Sequence, residues 1–359
     1  MARPRRQRDP IAAAGTSTLA VAGELPGGSR REPFRVTSLA EYERETGTAE
    51  GETADTLRLF FANGGLDAWV TALDDARPLR ALDALAELRF DLLAVPATAR
   101  LGGGRAASLA ADAALLCAEL GAFSVADPPA ERTAADVARW AGSLGGGPSA
   151  AVYFPRLRVR GSAGEREVPA SGAVAGIYAR VDRERGVWTA PAGAAATLRG
   201  VLGPALDLDD ARVAALTAAG VNTIRTLPSG PTRLWSAVTR EAHDPEWKYV
   251  NVRRFALFLE RSIEEGTRWT VFEPNDAALW TQVRAAVRSF LTGLFRAGAL
   301  RGSKPEEAFF VRCDRTTMTQ DDVDAGRLVV LVGVAPLRPA EFVILRLGLW
   351  ARARDEEDD

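Results

Sequence analysis

Between Leu79 and Phe154 the chain repeats one pattern three times: a stretch with helical periodicity, then a short apolar run. Helices are expected over 79–88, 106–120 and 134–144, and strands over 90–95, 123–126 and 150–154. This alternation restricts the fold severely. Strands separated by helices lie parallel and are buried on both faces, so the pattern specifies a largely parallel sheet covered by helices. Leading into it are a strand over 16–22, a turn at Gly27-Gly28, and a short helix opened by the capping box Ser38-Leu39-Ala40-Glu41 and stopped at Gly47. A helix over 54–62, ended by Asn63-Gly64-Gly65, and a strand over 67–73 complete the lead-in. After the repeats come a loop and helix over 169–185 ended by Gly186, a helix over 205–220 with Asp209 near its N-cap, and strand-like runs over 221–227 and 232–238.

The last third reads differently. From Asn251 to Gly266 the apolar residues Val252, Phe255, Ala256, Leu259 and Ile263 recur at three- and four-residue steps, with Arg253, Arg254, Glu260, Arg261, Glu264 and Glu265 elsewhere on the wheel. A short strand is expected over 269–273. A second helix then starts at Pro274-Asn275 with Asn275 as N-cap, its stripe being Leu279, Val283, Ala286, Val287, Phe290 and Leu294. Three strands follow, over 308–313, 327–334 and 341–350. The last sets Val343, Leu345, Leu347 and Leu349 against Phe342, Ile344, Arg346, Gly348 and Trp350. Both faces are largely apolar, so this strand expects cover on two sides and suits insertion into a sheet, its own or a neighbour's. The fold class is α/β, α+β overall, with helix-covered mixed sheets.

At 359 residues and 47% hydrophobic, the chain is long enough for two or three structural domains. A net charge of −2 gives no drive toward nucleic acid or an anionic membrane, although Arg3, Arg5, Arg6 and Arg8 make the start basic and Asp355 to Asp359 make the end acidic. All but Lys248 and Lys304 of the 45 basic residues are arginine, which with the abundance of Ala and Gly fits GC-rich coding, so single arginines carry little weight. Cys117 and Cys313 have no local partner; neither a disulfide framework nor a Cys-rich metal site is expected, and folding in a reducing compartment fits. There is no apolar run of about 18 residues and no signal-peptide pattern. Synthesis and folding in the cytoplasm are expected.

No catalytic, cofactor or metal set emerges. His243 is the sole histidine and lies in a loop, which excludes a multi-histidine metal site. The glycines at 102–104 and 145–147 lack the residues of a P-loop or a dinucleotide fingerprint. Asp207, Asp209 and Asp210 lack EF-hand spacing, and the pairs Glu264-Glu265 and Glu306-Glu307 read as solvated faces. Basic and aromatic residues from Trp247 to Phe258 share their helix with acidic ones, which opposes nucleic-acid binding.

Several stretches, taken in order, carry a resemblance. They are the run from Val168 to Asp182 with Gly186-Val187-Trp188 and Ala190-Pro191-Ala192-Gly193; Gly220-Val221-Asn222-Thr223-Ile224-Arg225; Tyr249 to Arg254; Leu259 to Ile263; Phe272-Glu273-Pro274-Asn275; and Pro339-Ala340-Glu341-Phe342-Val343. Upstream, Thr37 to Tyr42 and Phe60 to Gly65 join them. Together they resemble the contractile tail sheath family of phage tails, phage-tail-like bacteriocins and extracellular injection particles. The resemblance implies a non-enzymatic building block without cofactors, stacked as hexameric rings around an inner tube and contracting to drive that tube through a target envelope. Implied partners are other copies of the chain, the inner tube protein, and baseplate and terminal cap proteins, with no nucleic acid and no membrane. The resemblance further implies a particle component, released extracellularly on lysis.

On the same basis, residues 1–14 form a short mobile N-terminal arm, 15–240 an outer α/β region, 241–350 a tube-proximal domain ending in the arm strand 341–350, and 351–359 an acidic tail. Strand exchange between subunits falls to Phe342, Val343, Ile344, Leu345, Arg346 and Leu347, and contact with the tube to Lys248, Arg253, Arg254, Arg261 and Glu264. The family commonly begins with an extended strand where this sequence has Met1 to Ala14 with Pro4 and Pro10, so the resemblance implies a short or altered arm. Outside the family, the competing readings are an α/β enzyme without a standard motif and a monomeric binding domain.

Overall fold

The computed structural model describes residues 9–26, 32–130, 133–145, 147–161, 164–228, 230–241, 244–337 and 343–352. The expectations for residues 1–8, the Gly27-Gly28 turn, His243, Phe342 and the acidic end 353–359 fall outside them. The chain divides into two units, one of residues 15–254 and one of residues 1–14 with 255–359.

The first part of the larger unit runs β1 (Leu19–Gly23), β2 (Phe34–Val36), α1 (Leu39–Thr46), α2 (Glu52–Asn63), β3 (Ala68–Ala72), α3 (Leu79–Ala86), β4 (Leu92–Ala94), α4 (Gly103–Leu120) and β5 (Phe123–Ala126). It continues through α5 (Ala134–Gly142), β6 (Ala150–Phe154), β7 (Leu157–Gly161), β8 (Gly164–Val168), α6 (Ser171–Arg185), β9 (Gly203–Pro204), α7 (Asp210–Ala218), β10 (Val221–Thr226) and β11 (Thr232–Leu234). Eight strands form one sheet in the order β11-β10-β6-β5-β4-β1-β3-β2. Every pairing from β10 to β3 is parallel, and only the edge strands β11 and β2 run antiparallel. The helix–strand alternation specified this sheet. Strands β1, β5 and β6 are buried at every residue, which is why they read as apolar runs rather than as alternating ones.

One face of the sheet, including Ala20, Leu93, Val152 and Phe154, packs with Leu82, Leu109, Trp140 and Leu216 of α3, α4, α5 and α7. On the other face Tyr178 of α6 meets Phe123 and Tyr153, ring centroids 6.3 Å apart in each case, and the two tyrosine hydroxyls lie 2.7 Å apart. Helices α2 and α6 approach to backbone contact. A Cβ on Gly172 would stand 2.1 Å from the Thr56 carbonyl oxygen, and one on Gly176 2.4 Å from that of Phe60. These two glycines, one turn apart, are what permit the approach.

A small sheet in the order β8-β7-β9 and the edge strand β2 were not anticipated. Leu157 and Val159 point inward while Arg158 and Arg160 point out, a period-two signal outweighed by the density of charge in 156–167.

The helix α8 (Val250–Gly266) begins in the larger unit and ends in the smaller. The smaller unit continues with α9 (Ala277–Arg296), β12 (Phe309–Arg312), β13 (Arg327–Val334) and β14 (Val343–Trp350), the strands forming an antiparallel sheet in the order β12-β13-β14. Phe258 and Phe290 join α8 to α9 with ring centroids 6.1 Å apart. Three expectations need correction here. Residues 268–272 form a 3-10 helix, closed by the turn bonds from Thr270 N–H to Thr267 and from Glu273 N–H to Thr270; its link to β14 is the Thr270 hydroxyl on the Trp350 carbonyl rather than a strand ladder. Asp276, not Asn275, caps α9 by accepting the Leu279 N–H at 2.7 Å; Asn275 is buried, accepting from Trp280 Nε1 and donating to the Val323 and Arg327 carbonyls. Residues 9–14, expected to belong to a mobile arm, are packed, with Ile11 buried against Gly266 and the Ala14 N–H donating to Ser262 Oγ at 3.0 Å.

At the C-terminal ends of the parallel strands, charged groups cluster. Asp127 Oδ1 accepts the N–H groups of Ala170 and Ser171 at the start of α6. Glu52, 19% exposed in its side chain, accepts from Arg100 Nε at 3.3 Å, and Arg100 also pairs with Asp75. Burial pushes the Glu52 carboxyl up to about 7, with Arg100 and Arg156 pulling down and Asp127 pushing the same way as burial. Because the folded value is raised, the contribution to stability is complete below the unfolded value of 4.5 and is lost as pH rises through about 7. Urea unfolding at pH 5 and pH 8 should show the chain losing about 2 kcal/mol between them, with Glu52→Gln removing most of that difference.

Candidate assembly interface

The strand β14 pairs with β13 along its whole length, from Val343 opposite Val334 to Trp350 opposite Arg327. Strict alternation sends Val343, Leu345, Leu347 and Leu349 into the core and leaves Ile344, Arg346, Gly348 and Trp350 outside, Ile344 at 53% exposure and Trp350 at 61%. The cover expected on both faces is therefore present on one. β14 is also an outer strand of its sheet. At the C-terminal end of its second edge the Trp350 carbonyl accepts from Thr270 Oγ1 at 2.6 Å and the Arg352 N–H donates to the Glu273 carbonyl; along the rest no described strand pairs with it, which leaves N–H and C=O groups as a template for another chain.

The charged residues assigned to tube contact are not alike. Lys248, Arg253 and Arg261 are half-buried and Glu264 is exposed. Arg253 lies over the Trp247 ring at 5.2 Å and reaches Ser149 Oγ, while Lys248 Nζ stands 5.9 Å from the Tyr249 ring. Arg254 is a correction: its side chain is 4% exposed and faces no partner surface. Its two terminal nitrogens meet the two Asp182 oxygens at 2.9 and 2.6 Å, one of them also donates to the Thr16 carbonyl at 2.7 Å, and the guanidinium lies 4.7 Å from the Tyr178 ring centroid. Thr16 Oγ1 donates to Asp182 at 2.6 Å. Burial, the largest single effect, would lower the Arg254 pKa; the Asp182 charge and hydrogen bond, with Tyr178 and Asp91, together outweigh it and hold the group above its ordinary value. Sequence reading missed this pairing because 72 residues separate the partners.

Among the described residues no group of three or more His, Cys, Asp or Glu side chains is placed to hold a metal ion, and no helix is long and apolar enough to cross a membrane.

Two family models match in tandem: the phage tail sheath protein central domain over residues 71–240 and the phage tail sheath C-terminal domain over residues 242–349. The chain belongs to the tail sheath family. Among solved structures it resembles the sheath of the extracellular contractile injection system PVC in its contracted state, with 30% identity, 100% of this chain and 98% of that one covered, and a TM-score of 0.77. A chain of the six-fold symmetrised baseplate of the anti-feeding prophage is 31% identical, with 96% and 98% covered and a TM-score of 0.76. The tail sheath protein of Vibrio phage KVP40 is 26% identical over 181 residues, half of this chain and 26% of that protein, so this sheath-family chain matches about a quarter of that phage relative's length.

Residues that carry the sheath resemblance have physical tasks here. Gly172 and Gly176 admit α2, and Asp182 receives Arg254. Asn222 is buried, its amide donating to the Val152 and Val238 carbonyls and its oxygen accepting the Val238 N–H, which joins β10 to β6 and to the chain beyond β11. Removing one partner of a buried ion pair strands the other, so Arg254→Met should cost about 3–5 kcal/mol in denaturant unfolding. In the double variant Asp182→Asn/Arg254→Met the loss should be smaller than the sum of the single losses.

Proposed function

We propose that the chain is the structural subunit of a contractile sheath, polymerising as stacked hexameric rings around an inner tube and contracting to drive the tube through a target envelope. The observation that carries this reading is the full-length likeness to a sheath in its contracted state, at 30% identity. The likeness to a chain of a six-fold symmetrised baseplate supports six-fold rings and a baseplate junction; the inner tube and a terminal cap complete the set of partners. The chain acts as a building block rather than an enzyme, is made in the cytoplasm, and ends in a particle. Residues 241–350 stand nearest the tube and 15–240 farther out, with Lys248, Arg253, Arg261 and Glu264 toward the tube.

Strand exchange runs through Phe342, Val343, Ile344, Leu345, Arg346 and Leu347. Its physical support is the β13–β14 ladder. Residues 335–342 connect the two strands, so the ladder closed within one chain is the same ladder that exchange closes between two, and exchange forfeits none of its hydrogen bonds. Main-chain pairing of this kind also survives a large movement of subunits, since side-chain contacts re-form around a preserved ladder.

Negative-stain microscopy of the purified chain tests the function: rings or helical tubes are expected, and monomers at every concentration would overturn it. Exchange is tested by Leu331→Cys/Arg346→Cys, which places cysteines at paired positions on the outer face. Oxidation should give covalent ladders of subunits from assembled material and single chains from unassembled material. Single chains from both would exclude exchange through β14.

A further inference from the structure

Strand β5 runs into Asp127-Pro128-Pro129, and this sequence sets an electrostatic problem. A carboxylate at a turn ordinarily takes N–H groups from the residues that follow it, but neither proline has one. Asp127 is nevertheless only 2% exposed. Its two oxygens are placed unequally. Oδ1 accepts the N–H groups of Ala170 and Ser171 at 2.7 and 3.0 Å, whereas Oδ2 is buried with no hydrogen-bond partner among the described residues. The hydroxyl of Ser171, the first residue of α6, is buried and equally without a partner.

The charges nearby do not compensate Asp127. It forms no ion pair among the described residues. Glu52, at the start of α2, acts on it as a second negative charge and is itself paired with Arg100. Arg156, after β6, attracts Asp127 without bonding to it and donates to the Glu167 carbonyl at 3.1 Å. Burial pushes the Asp127 carboxyl up, and the Ser171 side chain, the two N–H groups and Arg156 pull down without restoring its ordinary value. A charged oxygen sealed from water and from every donor is far costlier than a protonated one. A proton on Oδ2 removes both mismatches: Oδ2 becomes a donor, Ser171 Oγ becomes its acceptor, and Oδ1 keeps its two N–H bonds.

We propose that Asp127 is a neutral acid in the folded chain, its Oδ2–H donating to Ser171 Oγ, and that loss of this proton to solvent loosens the start of α6. Asp127 is then a proton-sensitive fastener between β5 and α6. The helix leaves an ionised carboxylate no other way to reach water. Every residue from Ser171 to Val181 is buried, and a Cβ on Gly172 would stand 2.1 Å from the Thr56 carbonyl oxygen, so hydration requires this end of α6 to lift from α2. The device is internal to one chain and independent of the proposed assembly. Because the folded value is raised, its contribution to stability is complete below the ordinary value of 3.8 and is lost as pH rises through the folded value.

Asp127→Asn separates a neutral acid from an ionised one, since its amide reproduces the bonds of the neutral acid and has no proton to lose. Urea unfolding is compared at pH 5 and pH 8 for Glu52→Gln and Glu52→Gln/Asp127→Asn, so that Glu52 titrates in neither. The unfolding constant of the first divided by that of the second should rise at least tenfold from pH 5 to pH 8; a level ratio would mean an ionised Asp127 and would overturn the proposal. The proton is also visible without unfolding. In D2O at pD 6, the infrared carbonyl stretch of a protonated carboxyl should appear in Glu52→Gln and move to higher frequency in Glu52→Gln/Ser171→Ala, where the acceptor is gone. Its absence from Glu52→Gln, or a band that ignores Ser171→Ala, would sink the assignment even if Asp127→Asn failed to fold. Loosening is read by hydrogen exchange over residues 170–176. Protection there should fall at least fivefold between pH 6 and pH 8.5 in the wild type and stay level in Asp127→Asn, and the same response in both would show that this proton does not fasten α6.

Discussion

The buried pair of Arg254 and Asp182 is the interaction on which the larger unit depends. Two charges withdrawn from water stay together only if nearly every donor and acceptor is matched, and here both carboxylate oxygens, two guanidinium nitrogens, the Thr16 hydroxyl and carbonyl, and the face of Tyr178 take part. Thr16 leads into β1 at the centre of the sheet, Asp182 lies on α6, and Arg254 lies on α8. One cluster thus fixes three segments distant in sequence. The chain enters this unit at Gly15 and leaves it at Arg254, so entry and exit are anchored within the same group of hydrogen bonds.

Much of the fold was legible because burial on both faces of a parallel sheet leaves an unmistakable trace. Helix–strand alternation from Leu79 to Phe154 gave the right elements, and strands such as Phe123–Ala126, Ala150–Phe154 and Arg327–Val334 fell at the expected residues. What was not legible depended on contacts that local periodicity does not encode. Arg254 looked like a surface charge on an amphipathic helix, and only Asp182 on another helix makes it an interior residue. Asn275 looked like an N-cap because it precedes a helix, yet its amide is spent on carbonyls from two other segments while Asp276 caps. The glycines at 172 and 176 lay in a stretch recognised by resemblance, but their reason is the backbone of α2.

The two main sheets handle their edges in opposite ways. The eight-stranded sheet ends in β2 and β11, each three residues long and antiparallel to its neighbour, so little ladder is on offer at either side. The small sheet ends in an eight-residue strand with an apolar Ile344 and Trp350 on its outer face. In a protein that stays single, such an edge invites aggregation. If copies join through it, as proposed, the larger unit holds shape and the smaller joins copies.

That division bears on how a sheath could store energy. If β14 exchanges between copies, the ladder it forms is the same in any arrangement of subunits, because its eight register pairs are internal to the sheet. The ladder then contributes equally to the extended and the contracted state and drives nothing. The free-energy difference must lie in contacts that change, namely side-chain surfaces and charged patches such as the outer face bearing Arg312 and Arg346. Exposed ion pairs contribute about 0.2–1 kcal/mol each, so no single contact commits a subunit, and the drive comes from many copies moving together. A strong invariant link beside weak variable contacts lets such an assembly rearrange without coming apart.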